Sequence, residues 1–125
     1  MKYINLDNCE GLKMLLTVEK SPQVFILFIA SKDSNGVSWC PDCVSADPVI
    51  QKAVSDCDPK MDQETLFITA QVGARDEWKN PNNSFRLDET FKVDCVPTLL
   101  NIQKNQRLRE TECADREKVE KFLLS

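Results

Sequence analysis

Two cysteines separated by two residues, in Trp39-Cys40-Pro41-Asp42-Cys43, are the side chains of this sequence best suited to chemistry. Such a pair can cycle between dithiol and disulfide, or it can supply half of a four-ligand zinc site. The chain has no histidine, which excludes Cys-His and Ser-His nucleophilic catalysis and every zinc site that needs an imidazole. Zinc normally takes two ligand pairs, and the other cysteines, Cys9, Cys57, Cys95 and Cys113, are scattered singly. The redox reading is the stronger, and no metal is expected.

In that reading the first cysteine stands at a helix N-terminus, where free backbone N–H groups and the positive end of the helix dipole favour a thiolate. Cys40 is the expected nucleophile. Cys43 lies one helical turn further on, within reach of a mixed disulfide formed at Cys40, and is the expected resolving thiol. Pro41 stiffens the first turn and donates no N–H. Asp42 puts a negative charge beside the thiolate and opposes part of the dipole effect, which favours a reductant over a strong oxidant.

The elements around the motif can be read from periodicity. Val24 to Ala30 is continuously apolar, β-branched and aromatic, the pattern of a central strand covered on both faces. Ser31 to Ser38 is polar, with an Asn35-Gly36 turn, and carries the chain to Trp39. From Pro41, apolar residues at Ala46, Val49, Ile50, Ala53, Val54 and Cys57 predict a helix kinked at Pro48 and ending near Asp58-Pro59. Thr65 to Val72 is a second inner strand, so strand, helix and strand form a βαβ unit with a right-handed crossover. Ahead of these, Tyr3 to Leu6 predicts an edge strand, and Asn8 caps a helix whose Leu12, Leu15 and Leu16 share one face before Ser21-Pro22. Gly73 to Asn83 is polar, and Asn82 or Asn83 can cap a short helix through Ser84, Phe85 and Leu87 towards Phe91. Leu99 to Gln103 and Arg107 to Glu110 predict an antiparallel hairpin, and a last helix capped near Asp115 buries Val119, Phe122 and Leu123.

Composition narrows the partners. A chain of 125 residues is expected to form a single domain over residues 1–125. Its 16 basic and 20 acidic side chains leave a net charge of −4, unfavourable for non-specific binding to nucleic acid or anionic membranes. No apolar run is long enough for a signal peptide or a membrane span. A soluble protein in a reducing, intracellular compartment is expected.

Trp39 alone can be a packing residue, Pro97 an ordinary strand-edge proline and Asp42 a solvated charge. Together, Trp-Cys-x-x-Cys after a buried strand, Pro48 five residues beyond Cys43, and Val96-Pro97-Thr98 before a hydrophobic strand resemble the thioredoxin superfamily. Ser31-Lys32-Asp33, Gln71-Val72-Gly73, Trp78-Lys79 and Pro81-Asn82-Asn83 before Phe85-Arg86 narrow the resemblance to the thioredoxin domain-containing protein 17 family. That resemblance implies an α/β, thioredoxin-like fold, a central mixed β-sheet flanked by helices on both faces. It implies a monomeric, cytoplasmic disulfide reductase with no bound cofactor, recharged by NADPH through thioredoxin reductase. Protein disulfides, cystine and nitrosothiols are its implied substrates, with peroxidase activity besides.

The resemblance also assigns redox-potential tuning to Pro41 and Asp42, and it makes Val96-Pro97-Thr98 a cis-proline loop. Substrate docking is expected around Trp39, Val96 and Pro97. Cys95, two residues before Pro97, is either a small packing residue or a regulatory thiol open to glutathionylation or an intermolecular disulfide. Ser31 to Ser38 and Gly73 to Asn83 look longer than in ordinary thioredoxins and are expected to restrict docking. Ordinary thioredoxins carry a buried aspartate in the strand before the motif, whereas this strand has no acid and places Leu27 there. Proton transfer then needs water or another group, Asp42 or Asp47. The alternative to a reductase is a thioredoxin-fold binding module without significant turnover.

Overall fold

A strand with six consecutive apolar residues is stable only if both of its faces are covered. In the computed structural model, which describes residues 1–125, Val24–Ile29 is that strand, and all six of its residues are buried. The elements follow the chain as β1 (Lys2–Leu6), α1 (Cys9–Val18), β2 (Val24–Ile29), α2 (Pro41–Cys57), β3 (Leu66–Gln71), α3 (Arg75–Lys79), α4 (Ser84–Leu87), β4 (Thr98–Asn101), β5 (Gln106–Arg109) and α5 (Arg116–Leu124). Single 3-10 turns occupy Asp58–Lys60 and Glu110–Ala114.

The sheet order is β1-β3-β2-β4-β5. Strands β1 and β2 both run parallel to β3, while β4 runs antiparallel to β2 and β5 to β4, so the sheet is mixed. Side chains alternate across a strand, so Phe25 and Phe28 point to opposite faces of β2. Phe25 meets Phe122 of α5, with ring centroids 5.9 Å apart. Phe28 meets Phe85 of α4 and Phe91, at 5.8 and 5.6 Å. Helices therefore cover both faces, and the chain has the expected thioredoxin-like architecture.

The caps explain where the helices begin. Asn8 Oδ1 accepts from the Gly11 N–H at 2.6 Å at the head of α1, and Asp115 Oδ1 accepts from the Lys118 N–H at 3.2 Å at the head of α5. Helix α2 runs through Pro48, whose missing N–H leaves the Val44 carbonyl without its helical donor.

Three local details come from the structure. Of the two candidate caps, Asn82 and Asn83, it is Asn83 that caps α4, and that helix ends at Leu87 instead of running on towards Phe91. The polar stretch from Gly73 to Asn83 contains a helix of its own, α3, which buries Trp78. A 3-10 turn, unheralded by any periodicity, links β5 to α5 and buries Cys113. No helix is long and apolar enough to cross a membrane.

Candidate functional site

Strand β2 ends at Ile29, and the following loop delivers Trp39 and Cys40 to the head of α2. Residues 32–38 close on themselves: Lys32 bridges Ser38, the Asp33 carboxylate accepts from the N–H groups of Asn35 and Val37 at 2.9 Å each, and Gly36 turns the chain with φ 77°. The end of this loop is tied to the motif, because the Cys40 N–H donates to Ser38 Oγ at 3.2 Å.

Cys40 is the N-cap of α2. Its Sγ accepts the Cys43 backbone N–H at 3.1 Å, the interaction that a serine or aspartate cap makes with an oxygen and the donor a thiolate needs. On its other side the Cys40 thiol meets the Val96 carbonyl at 3.7 Å. The Val96-Pro97 peptide is cis. Pro41 occupies the first turn of α2 and is exposed, and Asp42 beside it is half-buried.

Cys43 differs in its surroundings. It is 1% exposed, against 5% for Cys40. Burial holds its thiol well above the ordinary range, and the hydrogen bond and charge of Cys40 and the charge of Asp42 add to the effect. Leu27, fully buried between Thr69 and Leu99, supplies no acid to this region.

A groove of about 500 Å³ opens over Cys40. Trp39, Cys40, Pro41, Asp42, Cys95 and Val96 all line it, so six residues singled out in the sequence converge there. Pro97 is instead buried behind the groove, where its carbonyl accepts from the Glu110 N–H at 2.8 Å. Cys43 faces a separate cavity. Cys95 is half-buried, 3.5 Å from Thr98 Oγ1, beside the ion pair of Asp94 and Arg109.

The rest of the groove's lining comes from residues that sequence reasoning did not assign to a site. The Arg86 guanidinium lies 3.8 Å over the Trp78 ring while its Nε donates to the Trp78 carbonyl at 2.7 Å. Arg75 and Lys79 add exposed positive charge on α3. A tryptophan inside a polar run was the one available signal of a buried element there. Its partnership with Arg86 depends on the turn between α3 and α4, where Asn83 Nδ2 donates to the carbonyls of Val72 and Glu77 at 3.1 and 3.0 Å. No three His, Cys, Asp or Glu side chains converge to hold a metal ion.

Comparisons with known proteins agree with this geometry. The family model described as "Thioredoxin domain-containing protein 17-like, thioredoxin domain" matches residues 6–125. Thioredoxin domain-containing protein 17 of Mus musculus is 43% identical over 97 residues, covering 78% of this chain and 74% of the relative. Thioredoxin-like protein Clot of Arabidopsis thaliana is 44% identical over 77 residues, covering 61% of this chain and 54% of the relative. Among solved structures, the reduced thioredoxin pre-protein of Schistosoma mansoni superposes with a TM-score of 0.59 at 17% identity, covering 98% of this chain and 99% of its own. At that identity the likeness speaks for the fold alone. The sequence matches, the mixed sheet and the Cys40–Cys43 pair at the head of α2 lead to one family: this chain belongs to the thioredoxin domain-containing protein 17-like thioredoxins.

Proposed function

We propose that the protein is a thiol-disulfide oxidoreductase working as a reductase of protein and small-molecule disulfides. The observation that carries this reading is the Cys40 sulfur, which caps α2 with the Cys43 N–H at 3.1 Å and borders an open groove. The Cys40 thiolate attacks one sulfur of a substrate disulfide and releases the other as a thiol after protonation. Cys43 then attacks Cys40 Sγ, the Cys40–Cys43 bond forms, and the second substrate sulfur leaves. The substrate gains two electrons and two protons, and the protein is left oxidised.

Electrons would return from NADPH through thioredoxin reductase, and the compartment would be the reducing cytoplasm, where such a pair is regenerated. Cystine and protein disulfides are the proposed substrates, with peroxide reduction as a further reaction of the same dithiol. Pro41 and Asp42 set the redox poise, Trp39 and Val96 form the docking edge with Pro97 fixed behind them, and Cys95 is the accessory thiol of the groove. The protein would act as a monomer.

Two measurements decide. Cys43→Ser is expected to trap substrates as stable mixed disulfides on Cys40, and the wild-type protein with thioredoxin reductase and NADPH is expected to reduce cystine. Neither trapping nor NADPH consumption would leave a binding module that uses the same groove without turnover.

A further inference from the structure

A buried thiol attacks a disulfide only as its proton leaves, so Cys43 needs an acceptor within reach. Asp42 lines the groove of Cys40, while the cavity that reaches Cys43 is a different one, of about 170 Å³. Lys32, Cys43 and Asp47 are its ionisable groups. A water needs roughly 10–15 Å³ of such space and a few polar partners, so the cavity has room for several.

Asp47 follows Cys43 by four residues on α2, which places both side chains on one helical face about a turn apart. Its carboxylate is held from two sides. Oδ1 accepts from Gln51 Nε2 at 3.3 Å, and Oδ2 lies 3.6 Å from Lys32 Nζ. The same carboxylate borders a second cavity of about 230 Å³, whose ionisable groups are again Lys32 and Asp47. Its side chain is 28% exposed, so a proton taken up inside can be given to bulk water.

We propose that Asp47, positioned by Lys32 and Gln51, accepts the Cys43 proton through water in the shared cavity as Cys43 attacks the mixed disulfide on Cys40. The Cys43 S–H bond breaks and its proton passes to the Asp47 carboxylate. The sulfur's electron pair forms the Cys40–Cys43 bond, the bond from Cys40 to the substrate sulfur breaks, and the departing thiolate takes a proton from solvent. Asp47 then returns its proton to water. The inference rests on the reductase reading. Its plain competitor is a surface ion pair between Lys32 and Asp47 that leaves the thiols unaffected.

The test is a single turnover of the reduced protein with excess 2-hydroxyethyl disulfide, an uncharged probe that charge changes at residues 32 and 47 do not steer. Acid-quenched samples are analysed by mass spectrometry for the Cys40 mixed disulfide and the Cys40–Cys43 disulfide. Asp47→Asn is expected to resolve the mixed disulfide roughly 10- to 100-fold more slowly at pH 7, while alkylation of Cys40 keeps its wild-type rate. The deficit should shrink as pH rises and hydroxide takes over. Asp47→Glu should restore most of the rate, and Lys32→Gln should lose a smaller part of it. Circular dichroism confirms that each variant is folded. Resolution equal to wild type, or a deficit of the same size at every pH, overturns the role of Asp47. A wild-type protein that never forms the Cys40–Cys43 disulfide fails differently, because it removes the reductase reading itself.

Discussion

All six cysteines are free thiols, yet the fold makes them chemically unlike one another. Cys40 caps a helix beside a groove, Cys95 is half-buried at its edge, and Cys113 is sealed beneath the Val96-Pro97 turn, 3.8 Å from the Pro97 carbonyl and 3.5 Å from that of Leu108. Burial pushes the Cys113 thiol up from 9.0 to about 12. The folded value lies above the unfolded one, so its contribution to stability is complete below about pH 9 and is lost as pH rises towards about 12. Burial raises Cys9, Cys43 and Cys57 in the same direction. Urea unfolding under reducing conditions should therefore show a falling midpoint from pH 8 to 10.5. Cys113→Ala should flatten that slope while costing about 1 kcal/mol at pH 7; a slope equal to wild type would show that Cys113 takes no part. The Cys40 and Cys43 spacing was legible in the sequence. The burial of Cys113 was not, because it lies on a 3-10 turn with no periodicity to reveal it.

At the scale of elements, the long helices and inner strands follow their patterns because each has one dominant driving force. Helix α5 buries Val119 and Leu123 at four-residue spacing and starts at the Asp115 cap. It also carries Arg116, which reaches Asp56 of α2 at 2.6 Å and Glu120 at 2.6 Å. These two attachments differ in strength. Val119 is fully buried, so Val119→Ala should cost roughly 2 kcal/mol in urea unfolding. The Arg116 side chain is 39% exposed, and Arg116→Met should change stability by less than about 1 kcal/mol. A larger loss for Arg116→Met would mean that α5 is held by its charges more than by its apolar face. The short α3 escaped a periodic reading because five residues span little more than one turn. Glu77, whose Oε1 accepts from the Ala74 N–H at 2.9 Å, fixes its start as much as any apolar stripe does.

For the whole molecule, the loops that follow β2 and β3 are fastened to each other beside the site. The Gly73 carbonyl accepts from Trp39 Nε1 and from the Ser31 N–H at 3.1 Å each, and the Gly73 N–H donates to Ser31 Oγ at 2.9 Å. Only glycine suits this point: its φ is 113°, and a Cβ there would come within 2.9 Å of Glu77 Cβ. Gly73→Ala should cost on the order of 1–3 kcal/mol and loosen both loops around Trp39. If those loops restrict docking, the variant should reduce insulin faster relative to cystine than the wild type does. A ratio equal to wild type, in a folded variant with altered Trp39 fluorescence, would remove the loops as a size filter.

The sequence alone determined what depends on near neighbours. Alternation and apolar runs made β2 and β3 inner strands, helical spacing and caps made α1, α2 and α5, and two cysteines one turn apart made a dithiol at a strand-to-helix junction. Only the tertiary structure decided which distant residues share that junction. Arg86 stacks on Trp78 in the lining of the groove, Pro97 withdraws behind Val96, and Asp42 and Asp47, indistinguishable as candidate acids in the sequence, line different cavities. The physical reason is that periodicity encodes which face of an element is apolar. What meets that face is set by the order β1-β3-β2-β4-β5 and by loops tied to each other through the hydrogen bonds of Gly73 with Ser31 and Trp39.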